Sequence, residues 1–168
     1  MRERIFSRRR LDYCYTYCEL RCDFVDLSAR KMYNYVVVNS CANRLPPVSL
    51  AFIGDAVYTL FMREKIVTAT DGVVGTLHAA VTKLVNAGRQ AYVFDRLAES
   101  KAFSAEEDDI ARRAKNAHLH SRAKAASVED YHKATALEAV IGYVHLSGDA
   151  QREKEILELC FEIAHSRA

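Results

Sequence analysis

The sequence predicts an all-α protein, a helical bundle with one hydrophobic core, and three observations carry that prediction. Only two prolines and six glycines interrupt the 168 residues, so few positions break a helix. Beyond residue 48, apolar residues recur at helical spacing and no convincing strand is found. Half of the residues are hydrophobic and 27% are charged, which is typical of a soluble globular domain large enough to bury a core.

The chain divides at Pro46-Pro47, because the helical pattern begins only after them. Residues 1–45 are predicted to be an atypical N-terminal extension, and residues 46–168 the folded domain. The extension mixes tyrosine, arginine and cysteine without regular hydrophobicity, although YVVV at 35–38 is compatible with a short strand. Its arginine-rich start resembles a transit peptide, but its acidic residues argue against one. Two interpretations stay open: a poorly ordered or loosely docked extension, or a start codon placed too far upstream.

Cysteine content and hydropathy indicate a cytoplasmic protein. The five cysteines are odd in number and no secretory signal precedes them, so a reducing compartment is the economical interpretation. Cys14, Cys18 and Cys22 are spaced to share one helix face, but no CxxC pair occurs and a zinc site is the weaker interpretation. No apolar run approaches the roughly 20 residues that a membrane span needs, so no membrane contact is predicted.

The first two helical segments are bounded by short polar residues. The first is predicted to run from an N-cap at Ser49 to about Val67, with Asp71-Gly72 as the turn after it. The second covers 74–99, and Gly88 is the predicted point of bending or division.

Cap residues also delimit the later helices. Ser104 and Glu107 fit the S-x-x-E capping box at the start of the third segment. Ser127 is the predicted cap of the fourth, and Gly148 is suited to a left-handed C-cap after it. A last helix is predicted at about 150–165.

Basic residues cluster between the third and fourth segments. No acidic residue falls from Arg112 to Lys124, and residues 116–127 have the character of a basic loop. Such a block can bind a polyanion. Alternatively, its basic residues at the end of the third helix only complement the helix dipole, as do the acidic residues at its start.

Two carboxylates lie in otherwise apolar helices. Asp55 follows Gly54 in SLAFIGDAVYTLFMREKI, and Glu138 precedes Gly142 in ATALEAVIGYVHL. Small residues let helix backbones approach closely, so the two acids are predicted to converge if these helices pack together. Converged carboxylates need compensation, which Mg²⁺ can supply. Taken singly, each acid is better explained by a local salt bridge or a cap, but the pair together, beside a basic loop, favours the metal site.

These residues also resemble a known family. SLAFIGDAVYTLFMRE is similar to the LAYIGDAVYE-type motif of Mini-ribonuclease III, the half-length class of ribonuclease III. The similarity continues through LHAAVTKLVNAGRQA, DDIARRAKNAH and YHKATALEAVIGYVHLSGD, and it covers roughly residues 45–165. The order and spacing of four blocks agree, which is more specific than any single motif.

The resemblance implies an all-helical endonuclease fold that acts as a homodimer on double-stranded RNA with Mg²⁺ or Mn²⁺. Bacterial members trim the large-subunit ribosomal RNA precursor. The catalytic and metal-binding acids of the family fall on Asp55 and Glu138. Full-length ribonuclease III has two further acids, and Ala51 and Thr135 hold those positions here, which resembles the Mini class and leaves metal coordination more dependent on water.

The resemblance also implies that RNA affinity comes from the catalytic domain itself, because the chain lacks room for a separate double-stranded-RNA-binding domain. The candidates are the basic block and a second polar face that also contains Asn86 and Gln90: Arg112, Arg113, Lys115, Asn116, His118, Arg122 and Lys124, with Lys83 and Arg89. Two other functions stay open. One is a non-catalytic RNA-binding or ribosome-associated protein of the same fold. The other is a helical interaction protein whose basic loop docks an acidic partner.

Overall fold

The described part of the protein, residues 42–117 and 127–166 of a computed structural model, is all-α, as predicted. It contains no strand. A short 3₁₀-helix, Ala42–Arg44, precedes six α-helices: α1 Pro47–Ala69, α2 Val74–Val85, α3 Ala87–Glu99, α4 Ala105–Lys115, α5 Val128–Ser147 and α6 Ala150–Ser166. The predicted YVVV strand and Cys14, Cys18 and Cys22 lie outside the described residues.

Helix α5 is the centre of the bundle. Nine of its residues are buried, from Ala134 to Val144, and they point in several directions around the helix. A helix that is apolar on all sides is stable only when neighbours surround it. Helices α1, α3 and α4 pack against α5, α2 packs on α1, and α6 packs against α3 and α5. Among the described helices, none combines the length and apolar character that crossing a membrane requires.

Helix α1 begins earlier than the sequence predicted. Pro46 takes the N-cap position and Pro47 opens the first turn, so Ser49 lies inside the helix and does not cap it. Proline suits that first position because its φ is already helical and its missing N–H would have had no partner there. The end at Ala69 is two residues beyond the predicted one.

The predicted segment 74–99 is divided at Asn86 and not at Gly88. The Asn86 backbone is extended, with φ −74° and ψ 153°, and its side-chain oxygen accepts a hydrogen bond from the Arg89 backbone N–H at 2.9 Å. An asparagine side chain that caps a new helix competes with continuation of the old one. Gly88 lies within the first turn of α3.

The other predicted caps are confirmed. Ser104 and Glu107 form the reciprocal capping box, Ser127 accepts a hydrogen bond from the Asp130 backbone N–H at 3.0 Å, and Gly148 ends α5 with φ 75°. Glu107 is also buried, and Arg152 of α6 donates to both of its carboxylate oxygens at 2.8 and 2.7 Å. This ion pair attaches the start of α6 to the start of α4.

Candidate active site

Helices α1 and α5 touch backbone to backbone at two glycines. A Cβ atom at position 54 would overlap the carbonyl oxygen of Glu138 and lie 2.6 Å from its carbonyl carbon. A Cβ atom at position 142 would overlap the carbonyl oxygen of Leu50 and lie 3.0 Å from the Gly54 nitrogen. The contact therefore requires glycine on both helices, and it fixes residue 54 of α1 against residue 138 of α5.

This contact brings the two unusual carboxylates together. Asp55 and Glu138 line one open cleft of about 330 Å³ between α1 and α5. The prediction that the two side chains converge in space is therefore confirmed. Apolar and neutral side chains complete the cleft wall: Val48, Ala51, Phe52, Tyr131 and Thr135.

The two acids have different surroundings. Asp55 is exposed, and the Thr59 hydroxyl lies 3.5 Å from its Oδ1. Glu138 is mostly buried, and burial, with a smaller contribution from the charge of Asp55, raises the pKa of its carboxyl from 4.5 to about 7. A hydrogen bond from the Gln90 side-chain amide, 3.0 Å from Glu138 Oε1, opposes part of that rise.

Comparison with known proteins relates this chain to one enzyme family. The Ribonuclease III domain family matches residues 48–149, a range that contains both carboxylates. A Mini-ribonuclease 3 from Thermoanaerobacter is 42% identical over 119 residues, which are 71% of this chain and 82% of that protein. A Mini-ribonuclease 3 from Staphylococcus aureus is 37% identical over 73% of this chain and 92% of its own length.

The chain belongs to the Mini-ribonuclease 3 family. Its enzyme class is therefore that of a ribonuclease III-type endoribonuclease. A crystal structure of a Fusobacterium nucleatum protein has the same fold, with a TM-score of 0.61 and 30% identity over 69% of this chain and 91% of that one.

The oxygen donors of the cleft fit a hydrated hard cation. Within the described residues, no group of three or more His, Cys, Asp or Glu side chains is placed to hold a metal, so a closed zinc-type site is not formed there. Two carboxylates in an open cleft suit Mg²⁺ or Mn²⁺, since such ions retain several waters and share phosphate oxygens. Ala51 and Thr135, the positions of the extra acids in full-length ribonuclease III, line the same cleft. The Thr135 hydroxyl donates to the Tyr131 carbonyl oxygen at 2.9 Å, so its lone pairs can still accept from a water.

The predicted RNA-binding residues of α4 are partly engaged in contacts within the bundle. Arg112 and Arg113 both pair with Asp109, and Arg113 also donates to Asn43. Lys115 and the helix-ending Asn116 are exposed. His118, Arg122 and Lys124 lie outside the described residues.

The second polar face is less exposed than the Mini-ribonuclease 3 resemblance implied. Lys83 is exposed on α2, but an Arg89 guanidinium nitrogen donates to the Ala164 carbonyl oxygen at 3.1 Å and attaches α3 to α6. Asn86 caps α3, and Gln90 is buried against Glu138. Sequence reasoning placed Gln90 on the surface. One feature of the sequence did indicate that Gln90 is buried: Gln90, Val93 and Leu97 are spaced to share one face of α3.

The raised pKa of Glu138 predicts that the metal-free protein loses stability as pH rises. Between about pH 4.5 and 7 the unfolded state releases the Glu138 proton while the folded state keeps it, so the free energy of unfolding falls through this window. The fall is on the order of 3 kcal/mol, since one pKa unit corresponds to about 1.4 kcal/mol. Urea unfolding in EDTA at pH 5 and pH 8, for wild type and Glu138→Gln, measures it. The variant should be more stable than wild type by more at pH 8 than at pH 5, and an equal difference at both pH values would contradict the prediction.

Proposed function

We propose that this protein is a divalent-metal-dependent endoribonuclease that cuts double-stranded RNA, with Asp55 and Glu138 as the metal ligands. One observation carries the proposal: carboxylates from two apolar helices share one open cleft in a chain of the ribonuclease III family. The ion is Mg²⁺, for which Mn²⁺ substitutes, because the donors are oxygens and the cleft has room for water.

The two carboxylates and the bound metal have different roles in the proposed reaction. Glu138 is held in apolar surroundings beside Asp55, so two negative charges compete for one cleft and favour a cation between them. When bound, the metal supplies the positive charge that activates a water and stabilises the leaving oxygen. Attack of water on phosphorus breaks the bond to the 3′-oxygen and leaves a 5′-phosphate and a 3′-hydroxyl.

The substrate is proposed to be duplex RNA of the large-subunit ribosomal RNA precursor, as the Mini-ribonuclease 3 resemblance implies. The cytoplasm is the proposed location, as the cysteine content indicates. Lys83, Lys115 and Asn116 are exposed polar side chains of the described domain that suit contacts with phosphates and 2′-hydroxyls. Binding through phosphates predicts that RNA affinity falls as salt rises.

The outer face of α1 supports a homodimer. Phe52, Leu60 and Val67 are 79%, 59% and 58% exposed, and they lie on one stripe with Ala56 and Arg63. Helix α1 is therefore apolar on the face that packs against α5 and also along this exposed stripe, which begins at Phe52 on the wall of the cleft. Exposed apolar stripes of this kind mark interaction surfaces. A two-fold contact between two α1 helices would cover both stripes and place the two clefts beside the interface, one for each RNA strand.

A charge in this stripe should dissociate the dimer. Leu60→Asp is expected to weaken self-association at least about 100-fold, because it replaces an apolar side chain of the contact with a carboxylate that must lose its hydration there. Leu159→Asp is the matched control, since Leu159 is a 37% exposed leucine on α6, away from the stripe. Sedimentation velocity across a concentration series gives both dissociation constants. Equal dimerisation of Leu60→Asp and wild type would place the interface elsewhere.

Incubation of a long RNA duplex with the protein, with Mg²⁺ and with EDTA, tests the activity. The proposal expects cleavage only with the metal, and products with 5′-phosphate and 3′-hydroxyl ends. A non-catalytic RNA-binding protein would shift the duplex in a gel without cutting it. A helical interaction protein would show no preference for duplex RNA over another polyanion, and either of these results would overturn the proposal.

A further inference from the structure

Gln90 is a buried polar residue with a partner in the candidate active site. It lies in the first turn of α3, is 3% exposed, and its Nε2 donates to Glu138 Oε1 at 3.0 Å. Burying an amide is unfavourable unless its hydrogen bonds are made. The glutamine at this apolar position of α3 is therefore explained by its contact with Glu138.

The described residues offer Glu138 no other side-chain hydrogen-bond donor. A glutamate in an open cleft without such a donor keeps several rotamers, and a metal ligand must give up that freedom when it binds. The Gln90 amide holds Oε1 on the α3 side of the carboxylate. Oε2 accepts no side-chain hydrogen bond from the described residues, and Glu138 lines the cleft that it shares with Asp55.

The start of α3 is itself well anchored. Asn86 caps it through the Arg89 backbone N–H, and the Arg89 guanidinium donates to the Ala164 carbonyl oxygen of α6. A donor on the first turn of an anchored helix is better placed to fix a ligand than a donor on a loop.

We propose that Gln90 is the positioning residue for Glu138: its buried side-chain amide orients the carboxylate for the metal and keeps it ready for binding. The proposal rests on the proposed function, because it takes Glu138 as a metal ligand. A hydrogen bond to the ionised form also favours the charged carboxylate that a cation needs, against the burial and the Asp55 charge that disfavour it. Groups that hydrogen-bond to metal ligands typically contribute about 10- to 100-fold in metal affinity or activity.

Gln90→Met tests this role, because methionine has similar length and suits a buried site but cannot donate a hydrogen bond. The dissociation constant for Mn²⁺, measured by calorimetry without RNA, is expected to rise about 10- to 100-fold. With duplex RNA at subsaturating Mg²⁺, kcat should fall by a similar factor while KM for RNA stays within about twofold, since Gln90 is buried away from the substrate surface. Helix content by circular dichroism should match wild type.

Gln151→Met is the matched control. Gln151 of α6 also donates to a glutamate, Glu155, at 2.9 Å, but on an exposed surface away from the cleft, so its loss should leave Mn²⁺ affinity unchanged. Gln90→Asn, whose amide is one methylene too short to reach Glu138, is the second test variant should the methionine variant fail to fold.

The outcomes separate the two proposals. Weaker Mn²⁺ binding in a folded Gln90 variant supports the positioning role. Wild-type Mn²⁺ affinity in such a variant, together with lost Mn²⁺ binding in Glu138→Gln, would overturn the role of Gln90 and leave the proposed function intact. Wild-type Mn²⁺ affinity in Glu138→Gln would overturn both.

Discussion

Glu138→Gln is expected to fold normally and to lose cleavage of duplex RNA by more than about 1,000-fold. It would remove a proposed metal ligand, and even groups that only hydrogen-bond to metal ligands typically contribute about 10- to 100-fold. Glutamine keeps the volume of the side chain and can still accept the hydrogen bond from Gln90, so the packing of α5 against α1 and α3 is retained. Only the negative charge is lost. The measurement is the initial rate at saturating Mg²⁺ and duplex, with circular dichroism as the check on folding.

Glu162→Gln provides the control for this substitution. Glu162 is an exposed residue of α6, and the same change of charge there should leave the rate within about twofold, as is usual for surface substitutions. Asp55→Asn should resemble Glu138→Gln, since both acids line the same cleft. A Glu138→Gln protein that cuts duplex RNA at the wild-type rate would exclude Glu138 from the chemistry, whatever the fold.

The parts of the fold that the sequence predicted are those set by local chemistry. The Ser104–Glu107 capping box and the Gly148 C-cap depend on residues within a few positions of one another, and both are found as predicted. The convergence of Asp55 and Glu138 was predicted from small residues beside each acid. That inference succeeded because two glycines are needed where two helix backbones touch, and this requirement is visible in sequence.

The corrections concern choices between neighbouring residues. Asn86 and Gly88 both interrupt a helix pattern, and the structure ends α2 at Asn86 because its side chain caps α3. Pro46 and Ser49 are both residue types found at the start of a helix, and the structure has Pro46 at the N-cap position of α1. Such competitions are settled by a few tenths of a kcal/mol and by tertiary packing, which a single sequence does not display.

The role of Gln90 could be predicted only in part. It follows Asn86 and Arg89 closely in the sequence and was therefore grouped with a polar surface, although its spacing from Val93 and Leu97 favoured burial. Its burial depends on how α3 crosses α5, and its partner is 48 residues away. The basic side chains of α4 are equally hard to assign from sequence. A residue such as Arg113 can pair within the bundle or contact RNA, and the sequence is compatible with both.

Gly54→Ala should be severely destabilising and should also abolish cleavage. The added Cβ would meet the backbone carbonyl of Glu138, which cannot rotate away as a side chain can, so α1 and α5 must separate. Overpacking usually costs about 1–3 kcal/mol, and a backbone obstacle at the largest helix contact of the domain should cost more than about 4 kcal/mol. Urea unfolding in EDTA measures this loss.

Gly75→Ala is the matched control, because a Cβ at this exposed position of α2 would have no atom within 4 Å. Alanine there should leave stability unchanged or raise it by up to about 1 kcal/mol. Gly142→Ala should behave like Gly54→Ala, since its Cβ would meet the Leu50 carbonyl. A loss below about 1 kcal/mol in Gly54→Ala would mean that the two helices do not cross there. It would then remove the reason for Asp55 and Glu138 to share a cleft, because their proximity follows from the contact of residue 54 with residue 138.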